Sequence, residues 1–156
     1  MTSQNIRLRV TLAGAFGAAL LAASLPGCGS DSKSTGTGTT GSVSAGEAVA
    51  TKYACTSCHT ADFSGDTTAQ PNSMAYPANL TPDKDTGIGE WDADTIVKAV
   101  LNGIDDDSAT LCSPMPKFAS EGMSQTDAEN VAAYLKSLPA VSKTIPESSC
   151  AEKGGS

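Results

Sequence analysis

Three stretches of the chain repeat apolar residues at helical spacing. In the first, Val49 and Tyr53 share a face, and Ser44 with Glu47 three residues on forms a capping-box pattern, which predicts a helix over Ser44 to Cys55. The second opens at the capping Asp92, carries Ile96, Val97, Val100 and Leu101 inward, and stops at Gly103. The third has a capping box at Ser124 and Asp127, gathers Ala128, Val131, Ala132 and Leu135 on one face, and ends before Pro139. Over thirty residues with Gly65, Pro71, Pro77, Pro82 and Gly87 separate the first two helices. A loop of that length in a small domain usually wraps something. No segment alternates convincingly as a strand, so the predicted class is all-α.

Ahead of these helices the pattern changes character. Arg7 and Arg9 precede an apolar run of 16 residues from Val10 to Leu25, the order of an export signal and short for a membrane span. The run closes on Leu25–Pro26–Gly27–Cys28, which resembles the lipobox of bacterial lipoproteins, with Pro26 in place of the usual small residue. Residues 1–27 are therefore expected to be a lipoprotein-type signal peptide and Cys28 the lipid anchor. An uncleaved anchor helix or a plain secretory signal is the alternative, and all three export the chain. Gly29 after Cys28, where aspartate could stand, hints at outer-membrane sorting. Residues 28–43 complete a Gly/Ser/Thr tether that buries too little apolar surface to fold and spans roughly 20 Å. The expected domain is 44–150, and 151–156 is expected to be a disordered tail.

Charge removes one class of function. Without the signal the chain holds 8 Lys, no Arg and 17 Asp plus Glu, a formal −9, which excludes phosphate or nucleic-acid binding as its role. The acids concentrate at Asp83 to Asp94 and Asp105 to Asp107, and a solvated surface is the simplest account of most of them. Large side chains are few: Tyr53, Phe63, Tyr76, Trp91, Phe118 and Tyr134. So small a domain needs another source of core.

The stretch ACTSCHT supplies one. His59 is the single histidine of 156 residues, and Cys55–Thr–Ser–Cys58–His59 matches the pattern of c-type haem attachment. Two intervening residues put both thiols on one helical edge, and the next residue turns its imidazole under the ring. A thioredoxin-like pair would instead follow a strand and open a helix, whereas this one ends a helical pattern. A zinc site would crowd the neighbours Cys58 and His59 into one tetrahedron and still lack a clear fourth ligand. Export also favours haem over reactive thiols.

With no second histidine, a strong protein ligand for the other axial position must be Met74, Met115 or Met123. Met123 directly precedes the cap of the last helix, where a core role is usual, and Met74 lies in the irregular loop. Met115 stands between Pro114 and Pro116, which stiffen the loop presenting its sulfur, and it is the expected ligand.

These residues together resemble a class I monohaem cytochrome c over roughly 100 residues. Asn79–Leu–Thr–Pro–Asp83, Thr86–Gly–Ile–Gly89, Trp91, Met115–Pro116 and the closing Ala–Ala–Tyr–Leu–Lys–Ser–Leu–Pro are similar to the haem subunits and domains serving bacterial periplasmic dehydrogenases of alcohols and sugars. The resemblance implies a cytochrome c fold of about three to five helices around one covalently bound haem c, with Tyr134 packed where the first and last helices cross. Carried over by position, Cys55 and Cys58 form the thioethers, His59 and Met115 ligate the iron, and Leu80 lies against the ring. Trp91 either donates its indole N–H to a propionate or simply packs. The carbonyl that orients the histidine commonly belongs to a proline just before Asn–Leu; here that place holds Ala78, with Pro77 one residue earlier, and both carbonyls stay open.

His/Met coordination implies an electron carrier, not an enzyme: no position is left for substrate, and the soft thioether favours Fe(II). The expectation is a lipid-anchored, extracytoplasmic carrier moving electrons from a dehydrogenase or quinol-oxidising complex to an oxidase or reductase. If Met115 does not ligate, a five-coordinate gas sensor or weak peroxidase is the alternative, and a fixed redox subunit of one dehydrogenase is another. Two cysteines remain, Cys112 and Cys150. An exported domain rarely keeps two thiols free, so they are expected to form a disulfide tying the tail to the loop before Met115.

Overall fold

The computed structural model of the protein describes residues 41–150. The signal segment, Cys28, nearly all of the tether and the tail 151–156 lie outside the described residues. Four helices follow in chain order: α1 Val43–Lys52, α2 Thr56–His59, α3 Ala93–Asn102 and α4 Gln125–Ser137. Among the described residues there is no strand, only two isolated antiparallel bridges, Met74 with Ser149 and Ile104 with Thr110. The all-α expectation holds. No helix among these residues is long and apolar enough to cross a membrane.

α3 and α4 start where local chemistry placed them. The Asp92 carboxylate accepts from Thr95 N at 2.7 Å, and Gly103 closes α3. Ser124 Oγ accepts from Asp127 N at 3.1 Å while the Asp127 carboxylate reaches back to Ser124 N at 3.5 Å, a complete capping box. α1 departs from expectation at both ends. Its N-cap is Ser42, not Ser44, and Ser42 Oγ accepts from Ala45 N at 3.4 Å. The reason is tertiary: Ser42 N donates to Asn130 Oδ1 of α4 at 2.7 Å, which fixes the entry of the chain two residues early. The folded domain thus reaches back to Gly41, into the segment expected to be tether. At the other end α1 stops at Lys52 rather than running to Cys55, because Ala54 turns into the left-handed region with φ +52°.

α4 is the central element, packed against α1 on one side and α3 on the other. A Cβ on Gly46 would come within 2.6 Å of Tyr134 Cβ, so the α1–α4 crossing is close enough to require glycine. Ala50, Ile96, Leu101, Val131, Ala132 and Leu135 are buried at these contacts, with Phe118 and Met123 below them. Tyr134 meets Phe63 edge-on at 5.6 Å between ring centroids, and Tyr53 meets Phe118 at 5.4 Å.

The long segment between α2 and α3 is ordered by hydrogen bonds in place of a sheet. Asn79 is buried; its amide donates to Val141 O at 2.8 Å and to Thr86 Oγ1 at 3.1 Å, and its oxygen accepts from Thr81 N at 3.0 Å. Lys136 reaches from α4 to three carbonyls, Ile88 at 3.3 Å, Gly89 at 2.8 Å and Trp91 at 2.9 Å. Neutral carbonyls gathered on one ammonium replace the helix or strand that would otherwise satisfy them.

Two aspartates of the acidic cluster, Asp83 and Asp92, and two outside it, Asp62 and Asp66, close turns or cap a helix. Asp62 accepts from Thr60 Oγ1 and from Ser64 N and Oγ, and these bonds pull its pKa down to about 2, the Thr60 hydroxyl most. Asp66, Asp83 and Asp92 are lowered in the same way, chiefly by Thr68 N, Thr86 Oγ1 and Thr95 N respectively. Carboxylates whose folded pKa lies below their unfolded value of ~3.9 stabilise the fold above that value and lose the contribution as pH falls through the folded one. The melting temperature is expected to be flat near neutrality and to fall between about pH 4 and pH 2, with a shallower fall in Asp62→Asn. Calorimetry over that range checks it; a melting temperature that does not change on acidification would contradict the role of these turns.

Candidate cofactor site

The Cys55–His59 turn is bracketed by two non-glycine residues at positive φ, Ala54 at +52° and Thr60 at +67°. Such conformations persist only where the surroundings impose them. Here they detach the short α2 from α1, so that the two thiols and the imidazole ride on their own turn. Cys55 N donates to Ala50 O and His59 N to Cys55 O, at 3.0 and 3.1 Å. Both thiols are free and half-buried. Burial raises the pKa of Cys55, with a smaller rise from the nearby Cys58. Cys58 Sγ lies 3.6 Å from Gln70 Oε1.

His59 is buried, and its Nδ1–H donates to Ala78 O at 2.8 Å. Of the two carbonyls the sequence left open, the structure selects Ala78; Pro77 O accepts from Asp66 N instead, at 3.0 Å. Because a carbonyl can only accept, Nδ1 carries the proton and Nε2 keeps its lone pair. Burial lowers the histidine pKa, opposed more weakly by Ala78, so the ring is neutral near pH 7. Gly65 makes the arrangement possible. It sits at φ +80°, and a Cβ there would fall 2.5 Å from Pro77 O and 2.7 Å from Ala78 C.

Two cavities of about 540 and 320 Å³ adjoin at this histidine. Cys58, His59, Leu80, Val100, Met115 and Leu135 line both. Cys55, Phe63 and Met123 line the smaller one, and Ile88, Trp91, Ala99 and Leu111 the larger. The structure therefore brings together every residue expected at the site between Cys55 and Met115. It sets the three methionines apart as well. Met115 faces the same cavities as His59, on a turn closed by Met115 N to Cys112 O at 3.0 Å. Met123 is 5% exposed within the core, and Met74 is 56% exposed and lines neither cavity. Cys112 and Cys150 are joined, with Cα atoms 5.0 Å apart. Sequence reasoning missed the lysines: Lys136 under the Trp91 loop, and Lys143, whose ammonium donates to Gly65 O at 2.6 Å. Charge alone gave no signal, since each lysine acts on backbone carbonyls more than 40 residues away in sequence.

The donor set matches a covalently bound haem. Apolar walls suit a flat macrocycle, two free thiols sit at its edge, a neutral imidazole with a free Nε2 lines the cavity, and a thioether shares that cavity. A zinc centre has no comparable support, because no three His, Cys, Asp or Glu converge among the described residues. Fold and site together define a monohaem cytochrome c domain. Residues 41–135 match the family described as Cytochrome C oxidase, cbb3-type, subunit III, and the chain belongs to this cytochrome c family, whose members carry covalent haem c.

Curated relatives agree. A nicotinate dehydrogenase subunit of Pseudomonas putida is 34% identical over 148 residues, 87% of this chain and 12% of that protein. The gluconate 2-dehydrogenase cytochrome c subunit of Pantoea cypripedii is 35% identical over 98 residues, 60% of this chain and 22% of its own length. The fructose dehydrogenase cytochrome subunit of Gluconobacter japonicus is 32% identical over 100 residues, 60% of this chain and 21% of its own. The chain thus spans about an eighth to a fifth of these proteins.

Gly65→Ala tests the geometry around His59. It is expected to lower the melting temperature by several degrees, since intruding methyl groups cost on the order of 1–3 kcal/mol. It should also speed exchange of the His59 Nδ1–H, read by NMR. Unchanged stability together with an unchanged exchange rate would show that the Ala78 carbonyl does not depend on this glycine.

Proposed function

We propose that this chain is an electron-transfer protein in which His59 and Met115 would hold the haem iron and Cys55 and Cys58 would bind the haem through thioethers, with no catalytic turnover of its own. One observation carries the reading: His59, with Nδ1 occupied by Ala78 O, lines the same cavities as Met115. Haem bound there supplies a one-electron Fe(III)/Fe(II) change. His59 contributes Nε2, and the Ala78 carbonyl makes that nitrogen a stronger donor. Met115 would contribute a soft thioether, which favours Fe(II) and would raise the potential. Ligation by both side chains would leave no open position for a substrate or gas. Leu80 and Leu135 line the site with apolar side chains, and Trp91 lines it from a loop that Lys136 holds by its carbonyl.

The wider setting belongs to the same proposal. A signal over 1–27, a lipid on Cys28 and a tether through 28–40 would place the domain outside the cytoplasm, anchored to a membrane, with the globular part beginning at Gly41. Its partners would be a dehydrogenase or quinol-oxidising complex and a terminal acceptor. The names of the relatives favour a second form of this reading, a fixed redox subunit of one dehydrogenase. Stable co-purification with an oxidoreductase separates that form from a diffusing shuttle.

Redox titration of Met115→Ala tests the ligand assignment. The potential is expected to fall by a sizeable part of the ~0.8 V over which axial ligands set haem potentials, while Met123→Leu leaves it near wild type. A Met115→Ala protein with the wild-type potential would remove Met115 from the iron.

A further inference from the structure

Beyond α4 the chain folds back as a strap, residues 139–150, with no helix or strand of its own. Its bonds fall in two groups. Towards the loop beneath His59, Lys143 Nζ donates to Gly65 O at 2.6 Å, in the field of Asp66, and Lys143 N donates to Thr86 Oγ1 at 3.0 Å. Ser148 Oγ accepts from Tyr76 N at 2.9 Å, and Ser149 N donates to Met74 O at 3.0 Å. Towards the opposite side, Cys150 is bonded to Cys112, whose carbonyl accepts from Met115 N at 3.0 Å. One stretch of chain therefore touches both the loop that presents the Ala78 carbonyl and the loop that presents the Met115 sulfur.

We infer that the strap is a brace joining the two ligand loops, with Cys112, Cys150 and Lys143 as its positioning residues. The inference rests on the His59/Met115 reading above. On the methionine side the bridge limits how far the 112–116 turn can move, so the sulfur leaves less readily than it would on an open loop. On the histidine side Lys143 fixes Gly65, the residue that a Cβ would drive into Pro77 and Ala78, and with it the acceptor of His59 Nδ1–H. Neither loop is independent of the other, because one segment is bonded covalently to the methionine loop and by hydrogen bonds to the histidine loop. Reducing the bridge, with a dithiol giving two electrons and two protons to yield two cysteine thiols and its own disulfide, is then a means of loosening the methionine.

The test uses the full-length ferric holoprotein and imidazole as the probe ligand competing for the methionine position. Cys112→Ser/Cys150→Ser is expected to bind imidazole roughly tenfold more tightly than wild type, ~1.4 kcal/mol. Lys143→Met is expected to shift the reduction potential and speed His59 Nδ1–H exchange. Combined with the cysteine pair it should change imidazole affinity by other than the sum of the separate effects. If the cysteine variant melts lower yet binds imidazole as wild type does, the bridge only stabilises the fold and the brace is overturned. If that variant does not fold, imidazole titration of the wild type before and after the bridge is opened by a phosphine decides in the same terms. Wild-type ferric protein lacking a sulfur-to-iron band would instead refute the ligand reading itself, which keeps the two failures apart.

Discussion

The hydrogen bond from His59 Nδ1–H to the Ala78 carbonyl is the constraint on which the rest of the site depends. A buried imidazole can take either tautomer, and only one leaves Nε2 free. The Ala78 oxygen settles the tautomer and the ring direction together. To put that oxygen in place the chain needs Gly65 in a left-handed conformation, the His59 carbonyl accepting from Gly65 N at 3.1 Å, and Leu80 N bonded to Phe63 O at 2.8 Å. The loop between α2 and α3 is long because it must travel around the cavity and return its backbone to this one histidine.

A domain with so few large side chains distributes its stability unusually. The helices meet at small residues, Gly46, Ala128 and Ala132, which permits close approach but buries little area at each contact. Much of the remaining order comes from polar side chains that terminate turns or collect carbonyls, notably Asn79, Asp62 and Lys136. Such groups specify where backbone lies more than they drive collapse. The hydrophobic complement is the cavity itself, lined by Leu80, Ile96, Val100 and Leu135, where a bound macrocycle completes the core.

What could be read from the sequence was local. Asp92 and the Ser124–Asp127 box act within one turn, and both start helices where the pattern placed them. Ser44 failed as a cap because Asn130, 88 residues beyond Ser42, decides the entry of α1. Helix α1 also stops before Cys55 because the site requires a turn at Ala54 that no periodicity announces. The attachment motif was legible because its chemistry allows few residue types at those places, and Met115 is the proposed partner on the same grounds. The Ala78 acceptor and the Lys143 and Lys136 anchors were not, since each depends on which carbonyls the folded loop brings within reach.

The optical spectrum of the purified, oxidised protein tests the central claim most directly. With thioether attachment and His59/Met115 ligation, the pigment should stay on the polypeptide after acidic solvent extraction, and the ferric spectrum should show the weak long-wavelength sulfur-to-iron band of a low-spin centre. A high-spin ferric spectrum without that band, or haem that extracts into the solvent, would contradict the account.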